Sequence, residues 1–467
     1  MGEKSGNQVY SKTIQVPELI EKCLEGGENR GFRNKLIFWV FLLMLLEGFD
    51  FIGIAYIAPP LIKEWHMNPT TFGTIISVGF VGVMLGNVLL GILGDRIGRK
   101  KAIVVSALIF GVLTLVTTMA NSPNVLMLLR FLAGIGLGGT FPLAMVLVDE
   151  YAPKKSRNNW VAWAFAGFPT GLFLGGLLAS WLVPQFGWRA LFAVGGVLPL
   201  LILIGIVSQL PESLRYLVVK NRDHSQIAKI VSRLNADITI DSETQFIFET
   251  EKPSVKFSLN KMFIGVLAWV TPLLFLFAIV NSLVVSFLNS WMPNLFVTSG
   301  LSLSHAALAT SLYHLAGIFC NIVVGWVLDK RGMVAAVIFP VIAVAATALL
   351  GNPMSPGLFI VVLFVTGFSV IGTQFVLTTM GPKLFPTAYR SSANGILQAV
   401  GFIGTIGGPI IGGVLMGAKL SVKELFLVNS GLLVISAILL LLMGLGYRRQ
   451  FVLEKKATSE GYASPGN

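Results

Sequence analysis

Gly91-Ile-Leu-Gly-Asp95-Arg-Ile-Gly98-Arg99 closes one long apolar run and opens the next. Gly325-Trp-Val-Leu-Asp329-Lys-Arg-Gly332 does the same in the second half of the 467-residue chain. Gly, Asp and Gly recur at a single offset of 234 residues. A second pair of positions keeps nearly that step: Pro153 with Arg157, and Pro386 with Arg390. The chain therefore reads as two copies of one unit in the same orientation. Parallel repeats of this kind place a pseudo-two-fold axis along the membrane normal, with a central cavity where the repeats meet.

The surroundings of the repeated loops say why a membrane is involved. Hydrophobic residues make up 54% of the sequence and charged residues 12%, with a mean hydropathy of +0.79. A soluble domain carries about 25% charge, so three soluble domains could not be covered. A helix crosses the hydrocarbon core with about 20 apolar residues. Twelve segments meet that need, starting near Leu36, Phe72, Ala102, Asn124, Trp160, Arg189, Met262, His305, Met333, Pro356, Ser391 and Glu424. The fold class is an all-α membrane protein: twelve transmembrane helices in two pseudo-symmetric six-helix bundles. The expected divisions are a tail (1–35), a first bundle (36–209), a linker (210–260), a second bundle (261–446) and a second tail (447–467). The linker is polar and mixed in charge, and is expected to be a tether with some amphipathic helix. The first 35 residues are polar and basic, so no cleavable signal peptide is expected.

Charge sets the direction. Of the 34 Lys and Arg, 29 fall in the two tails, the linker and the loops on their side. Lys63, Arg189, Lys419 and Lys423 face the other side, and Arg130 lies inside a span. Basic residues stay on the cytoplasmic side, so both termini and the linker are expected there. The net charge of +12 does not point to nucleic acid, because the basic residues sit in short clusters between apolar runs. Cys23 and Cys320 are too few for a disulfide framework or a cysteine zinc cluster. Gly134, Gly136 and Gly139 spell G-x-G-x-x-G, but no strand precedes them, so the dinucleotide reading fails its context. There is no phosphate-binding loop of the nucleotide-hydrolysing kind, no H-E-x-x-H and no nucleophile elbow. No enzyme, cofactor or metal is expected.

Ionisable groups inside spans cost about 2.5–3.5 kcal/mol each at a helix centre and persist where they carry protons or line a path. Glu47 and Asp50, three residues apart, share a helix face. Two nearby carboxylates cannot both ionise cheaply in a low dielectric, which is what a proton carrier requires. Asp50 is expected to be the main proton site and Glu47 its assistant. Arg130 needs an anionic partner. It either pairs with Asp50 or Glu47, binds a substrate carboxylate, or snorkels to the outer interface. The second half has no acid deep in any span, and its candidates are Asn281, Asn289, Trp291, Tyr313, His314, Gln374 and Gln398. An aromatic substrate needs a stacking surface and one or two polar groups to orient it. Asp95, Arg96, Gly98 and Arg99, with Asp329 in the second copy, are expected to gate the conformational change. Arg157 and Arg390 open spans five and eleven as interface anchors.

Gly94-Asp95-Arg-x-Gly98-Arg-Lys-Lys between spans two and three resembles the signature loop of the major facilitator superfamily. Glu47-Gly48-Phe49-Asp50, running on to Ile57-Ala58-Pro59, resembles the first span of its aromatic acid:proton symporter family. Arg130-Phe-Leu-Ala-Gly134-Ile-Gly136-Leu-Gly138-Gly139 is similar to that family's fourth span, and Ser290-Trp291-Met292-Pro293 to its seventh. Glu47 stands where Asp is usual. The resemblance covers residues 34–446 and implies the major facilitator fold in a bacterial plasma (inner) membrane. It implies a carrier, functional as a monomer, whose partners are the bilayer, a small organic anion and protons. The implied function is proton-coupled uptake of an aromatic carboxylic acid such as a benzoate or hydroxybenzoate. Among the substrate-binding candidates it keeps Arg130, Tyr313, His314, Gln374, Asn289 and Trp291, and it adds a role for Arg157 and Arg390 in the transport cycle. A carrier for another small organic anion, such as a dicarboxylate, or an exporter is the alternative.

Overall fold

The computed structural model describes residues 8–9, 13–16, 30–153, 155–220, 224–234, 238–239, 245–247, 258–386 and 388–459. Two short strands come first, β1 (Gln8–Val9) and β2 (Thr13–Gln15). Then come α1 (Arg30–Tyr56), α2 (Ala58–Glu64), α3 (Pro69–Ile97), α4 (Arg99–Thr117), α5 (Pro123–Tyr151), α6 (Arg157–Phe165), α7 (Gly167–Phe186) and α8 (Trp188–Gln209). The linker holds α9 (Leu214–Val219), α10 (His224–Leu234), β3 (Ile238–Thr239) and β4 (Gln245–Ile247). The second half runs α11 (Leu267–Thr298), α12 (Leu303–Ala335), α13 (Ile338–Leu350), α14 (Pro356–Met380), α15 (Arg390–Gly417) and α16 (Val422–Ser459). Among the described residues, eleven helices are long and apolar enough to cross a membrane, or twelve if Val323–Ala335 and Ile338–Leu350, bent by 93°, form one more span. The helical class expected from the sequence is observed, with four strands of two or three residues added in the tail and linker.

The helix boundaries follow local chemistry. Pro69, Pro123 and Pro356 open α3, α5 and α14, where the missing N–H is no loss. Gly98 separates α3 from α4 at φ +105°, a backbone state that side chains with a Cβ rarely adopt. Gly332, its counterpart, breaks α12 at φ +72°. The repeated loop is thus a repeated glycine turn.

Two compact units emerge. The first comprises Met1–Gly53, Val81–Gly175 and Arg189–Lys252. Its spans pack backbone to backbone: a Cβ at Gly48 would overlap Phe168 O, one at Gly171 would overlap Leu45 O, and one at Gly82 would overlap Phe131 O. Small residues of this kind let membrane helices gain dispersion contact where the hydrophobic effect offers little. The linker proves to be more than a tether. Leu214, Leu217, Ile227, Val231 and Leu234 are buried in the same apolar cluster as Leu43, Phe110 and Leu147 of the spans. β1 pairs in parallel with β3, and β2 with β4.

The second unit comprises Ile54–Phe80, Gly176–Trp188 and Pro253–Asn467. It therefore takes in pieces of α1, α3 and α7 that the sequence division at 209 assigns to the first bundle. The reason is close backbone contact. A Cβ at Gly73 would overlap Pro409 O. Ser77 Oγ donates to Ile406 O at 2.7 Å and Thr70 Oγ1 to Gly413 O at 3.2 Å. Ser304 Oγ donates to Ser180 O. Within the second half, Gly404 meets Ile279 O and Gly367 meets Tyr313 O in the same manner.

Candidate functional site

α1 carries Glu47 and Asp50 into the interior of the first unit, and α5 brings Arg130. Asp50 and Arg130 have side chains only 1% and 7% exposed. Arg130 Nη2 donates to Asp50 Oδ2 at 2.5 Å and Nη1 to Asp50 Oδ1 at 3.3 Å. Thr114 of α4 donates its hydroxyl to Asp50 Oδ1 at 3.0 Å. The Phe192 ring of α8 lies 5.2 Å from Arg130 Cζ, within cation–π range. Four helices thus converge on one buried ion pair. Of the alternatives open to Arg130, the structure takes the Asp50 pairing, and the guanidinium does not reach for an interface. Glu47 is also buried, and its Oε2 has no hydrogen-bond partner among the described residues.

A buried ion pair is stable only as a pair. Removing one partner leaves an uncompensated charge and costs about 3–5 kcal/mol. Each partner therefore depends on the other for compensation.

The second unit holds neutral polar groups instead. On α11, Asn281 Nδ2 donates to Gln374 Oε1 of α14 at 2.5 Å, while Asn281 Oδ1 and Asn289 Oδ1 have no partner among the described residues. On α12, the Tyr313 and His314 rings meet edge-on with centroids 5.1 Å apart. Both are buried, and Tyr313 Oη and both His314 ring nitrogens lack partners among the described residues. Buried polar groups are ordinarily hydrogen-bonded, so this cluster has spare capacity. Trp291 departs from the expectation of a stacking surface or a belt residue. Its ring N–H is committed to Pro409 O at 3.0 Å, and the ring is enclosed by Phe72, Gly73 and Gly412. That is a packing role.

The gating candidates fall into two sets. In the first unit Arg99 Nη1 lies 2.5 Å from Asp95 Oδ1, and Arg157 Nε lies 3.3 Å from Asp149 Oδ1. Arg96 offers its carbonyl to the Tyr216 hydroxyl at 3.2 Å. The Glu212 carboxylate occupies the space beside Gly98 and accepts the Lys100 N–H at 3.0 Å. It therefore sits at the N-terminus of α4, where the helix dipole favours an anion. Tyr151 Oη donates to Glu212 O at 2.5 Å. In the second unit Asp329 has no ion pair among the described residues, and Arg390 Nε donates to Phe385 O at 3.2 Å.

Sequence reasoning missed Thr114, Phe192 and Glu212. A Thr or Phe in a span carries no pattern. Glu212 did leave a trace: Pro211-Glu212-Ser213 interrupts the chain just past span six with an acid among basic residues.

Residues 40–406 match the family model described as Major Facilitator Superfamily. The gallate transporter of Pseudomonas putida is 32% identical over 415 residues, 88% of this chain and 92% of that protein. The 4-hydroxybenzoate transporter PcaK of Acinetobacter baylyi is 32% identical, over 81% of this chain and 83% of that protein. Among solved structures, a D-xylose-proton symporter superposes with a TM-score of 0.67 at 17% identity, covering 88% of this chain and 96% of that one.

Proposed function

The chain belongs to the major facilitator superfamily and is an integral membrane transporter, not an enzyme; from that premise we propose that it takes up a small aromatic carboxylic acid together with protons. The relatives named for gallate and 4-hydroxybenzoate support the substrate class. The Asp50–Arg130 pair is the single observation that carries the coupling. With Asp50 ionised, Arg130 is occupied. A proton on Asp50 removes the countercharge, and the substrate carboxylate then takes its place on the guanidinium, which suits a planar, two-oxygen anion. Thr114 continues to hold the neutral carboxyl. Release of the proton restores the ion pair and expels the anion, so neither ligand is carried alone.

Tyr313, His314 and Asn289 are among the buried groups of the second unit with no hydrogen-bond partner among the described residues, and they suit ring hydroxyls. Gln374 orients Asn281. The distribution of Lys and Arg supports cytoplasmic termini in a plasma membrane. Asp95, Arg99, Gly98 and Glu212 control the switch between conformations.

One proton with a monocarboxylate makes the cycle electroneutral. Glu47 offers a second, and two protons would carry one net positive charge inward. Membrane potential would then add about 2.3 kcal/mol per 100 mV, close to fifty-fold in accumulation. The test is uptake of 4-hydroxybenzoate into liposomes holding the purified chain. A pH gradient should drive accumulation. At equal pH, an inside-negative potential should stimulate it only in the two-proton case. If neither gradient matters, proton symport is wrong, and Asp50 and Arg130 are a structural pair.

A further inference from the structure

A second polar site lies at the interfacial end of the first unit, away from the ion pair. The N-terminal turns of α1 and of α6 enclose a cavity of about 540 Å³, lined among others by Arg33, Asn34, Phe38, Asn159, Trp160 and Trp163. Both helices begin there, so the cavity sits at the level where two spans leave the hydrocarbon. Arg33 has one partner among the described residues: its Nε donates to Asn34 Oδ1 at 3.2 Å. Its two terminal nitrogens, the pair that forms a fork on phosphate, have no hydrogen-bond partner among the described residues. No carboxylate of the described residues neutralises it. Arg30 and Lys35, both exposed on the same helix end, add to the positive field. The acid near the start of α6, Asp149, is already paired with Arg157.

Beyond Arg33, Asn34, Ser156 and Asn159, the wall is apolar and open. Phe38 is 53% exposed and Trp163 68% exposed. Tryptophan at this level is suited to the headgroup region, with its ring against chains and its N–H toward polar atoms. A soluble anion would use the guanidinium and leave these rings idle. A diacyl lipid uses both.

We propose that this cavity holds the headgroup of an anionic phospholipid, with Arg33 on the phosphate, Asn34 and Asn159 on the glycerol oxygens, and Phe38 and Trp163 along the chains. The site is independent of the transported substrate.

The experiment is native mass spectrometry of the full-length chain in detergent, titrated with phosphatidylglycerol or phosphatidylethanolamine. The unsubstituted protein should retain phosphatidylglycerol preferentially. Arg33→Gln should need about tenfold more lipid for the same occupancy, and Lys63→Gln, which removes an exposed positive charge elsewhere, should bind as the unsubstituted protein does. Phosphatidylglycerol with brominated chains should quench tryptophan fluorescence, and Trp163→Phe should lose part of that quenching while still binding the lipid. Equal retention by Arg33→Gln overturns the assignment. Competition by inorganic phosphate at matched concentration would make it a soluble-anion site, and displacement by 4-hydroxybenzoate would make it a vestibule for the transported acid. Either result also overturns the lipid assignment. None of these readouts uses transport, so a failure of proton symport leaves them interpretable.

Discussion

The first unit buries a full ion pair, and the second buries neutral groups with no hydrogen-bond partner among the described residues. The two arrangements obey different physics. Asp50 and Arg130 must be compensated at every moment, because an isolated charge in an apolar interior is prohibitive. Tyr313 and His314 can wait, since an unsatisfied neutral donor or acceptor costs about 1–3 kcal/mol. One unit therefore stores an interaction that a ligand must open, and the other stores capacity that a ligand can fill. The proposed function assigns coupling to the first arrangement and selectivity to the second.

The contrast can be broken most severely at Arg130. Arg130→Ala should abolish transport and destabilise the protein by about 3–5 kcal/mol, because Asp50 is left alone. Asp50→Asn should abolish proton-driven accumulation while exchange of internal for external substrate survives. Asp50→Asn combined with Arg130→Gln should be far less destabilising than the two single changes added together. Thermal unfolding of the four proteins gives the coupling, and strict additivity would mean the pair is not one.

Tyr313→Phe sharpens the other side. It removes a hydroxyl with no partner among the described residues, so stability should hold or rise, by up to about 1–3 kcal/mol. Affinity for 4-hydroxybenzoate should fall about tenfold, while affinity for benzoate holds. A marked loss of stability would reveal a hidden partner.

The glycine turns provide a smaller contrast. Gly98→Ala imposes backbone strain of about 1–3 kcal/mol and also displaces the Glu212 carboxylate. Gly332→Ala meets nothing within 4 Å of its new Cβ and imposes the strain alone. Turnover should fall more for Gly98→Ala, with substrate affinity in detergent unchanged in both. A greater effect at Gly332 would reverse the assignment of the switch. The smallest effect is expected at the loop acids. Asp95 is 70% exposed in its ion pair with Arg99, and surface pairs are worth about 0–1 kcal/mol. Asp95→Asn should slow turnover slightly, and Asp329→Asn less.

Much of this was legible before any coordinates. Long apolar runs and the repeated Gly-Asp-Gly loop determine the helical class and the two-fold plan, because hydrocarbon leaves a backbone few alternatives. The acids and the arginine inside spans marked a buried ionic centre, because their cost demands a compensating partner. Sequence could not choose the partner of Arg130, since Asp50 and Glu47 lie on one helix face and only packing separates them. Nor could it supply the commitment of the Trp291 ring N–H to Pro409 O, which depends on the approach of two distant segments. The linker was underestimated because α9 and α10 are short, and their apolar residues find cover only in tertiary contacts.

The parallel pairing of Thr13 with Gln245 has a consequence for biosynthesis. More than 200 residues must be translated after the first strand before its partner exists, which takes about 10–45 s at 5–20 residues per second. Val16, fully enclosed in the finished unit, leaves the ribosome early and acquires its cover late. The amino-terminal strap is thus made more than 200 residues ahead of its partner, and its pairing waits on synthesis of the linker.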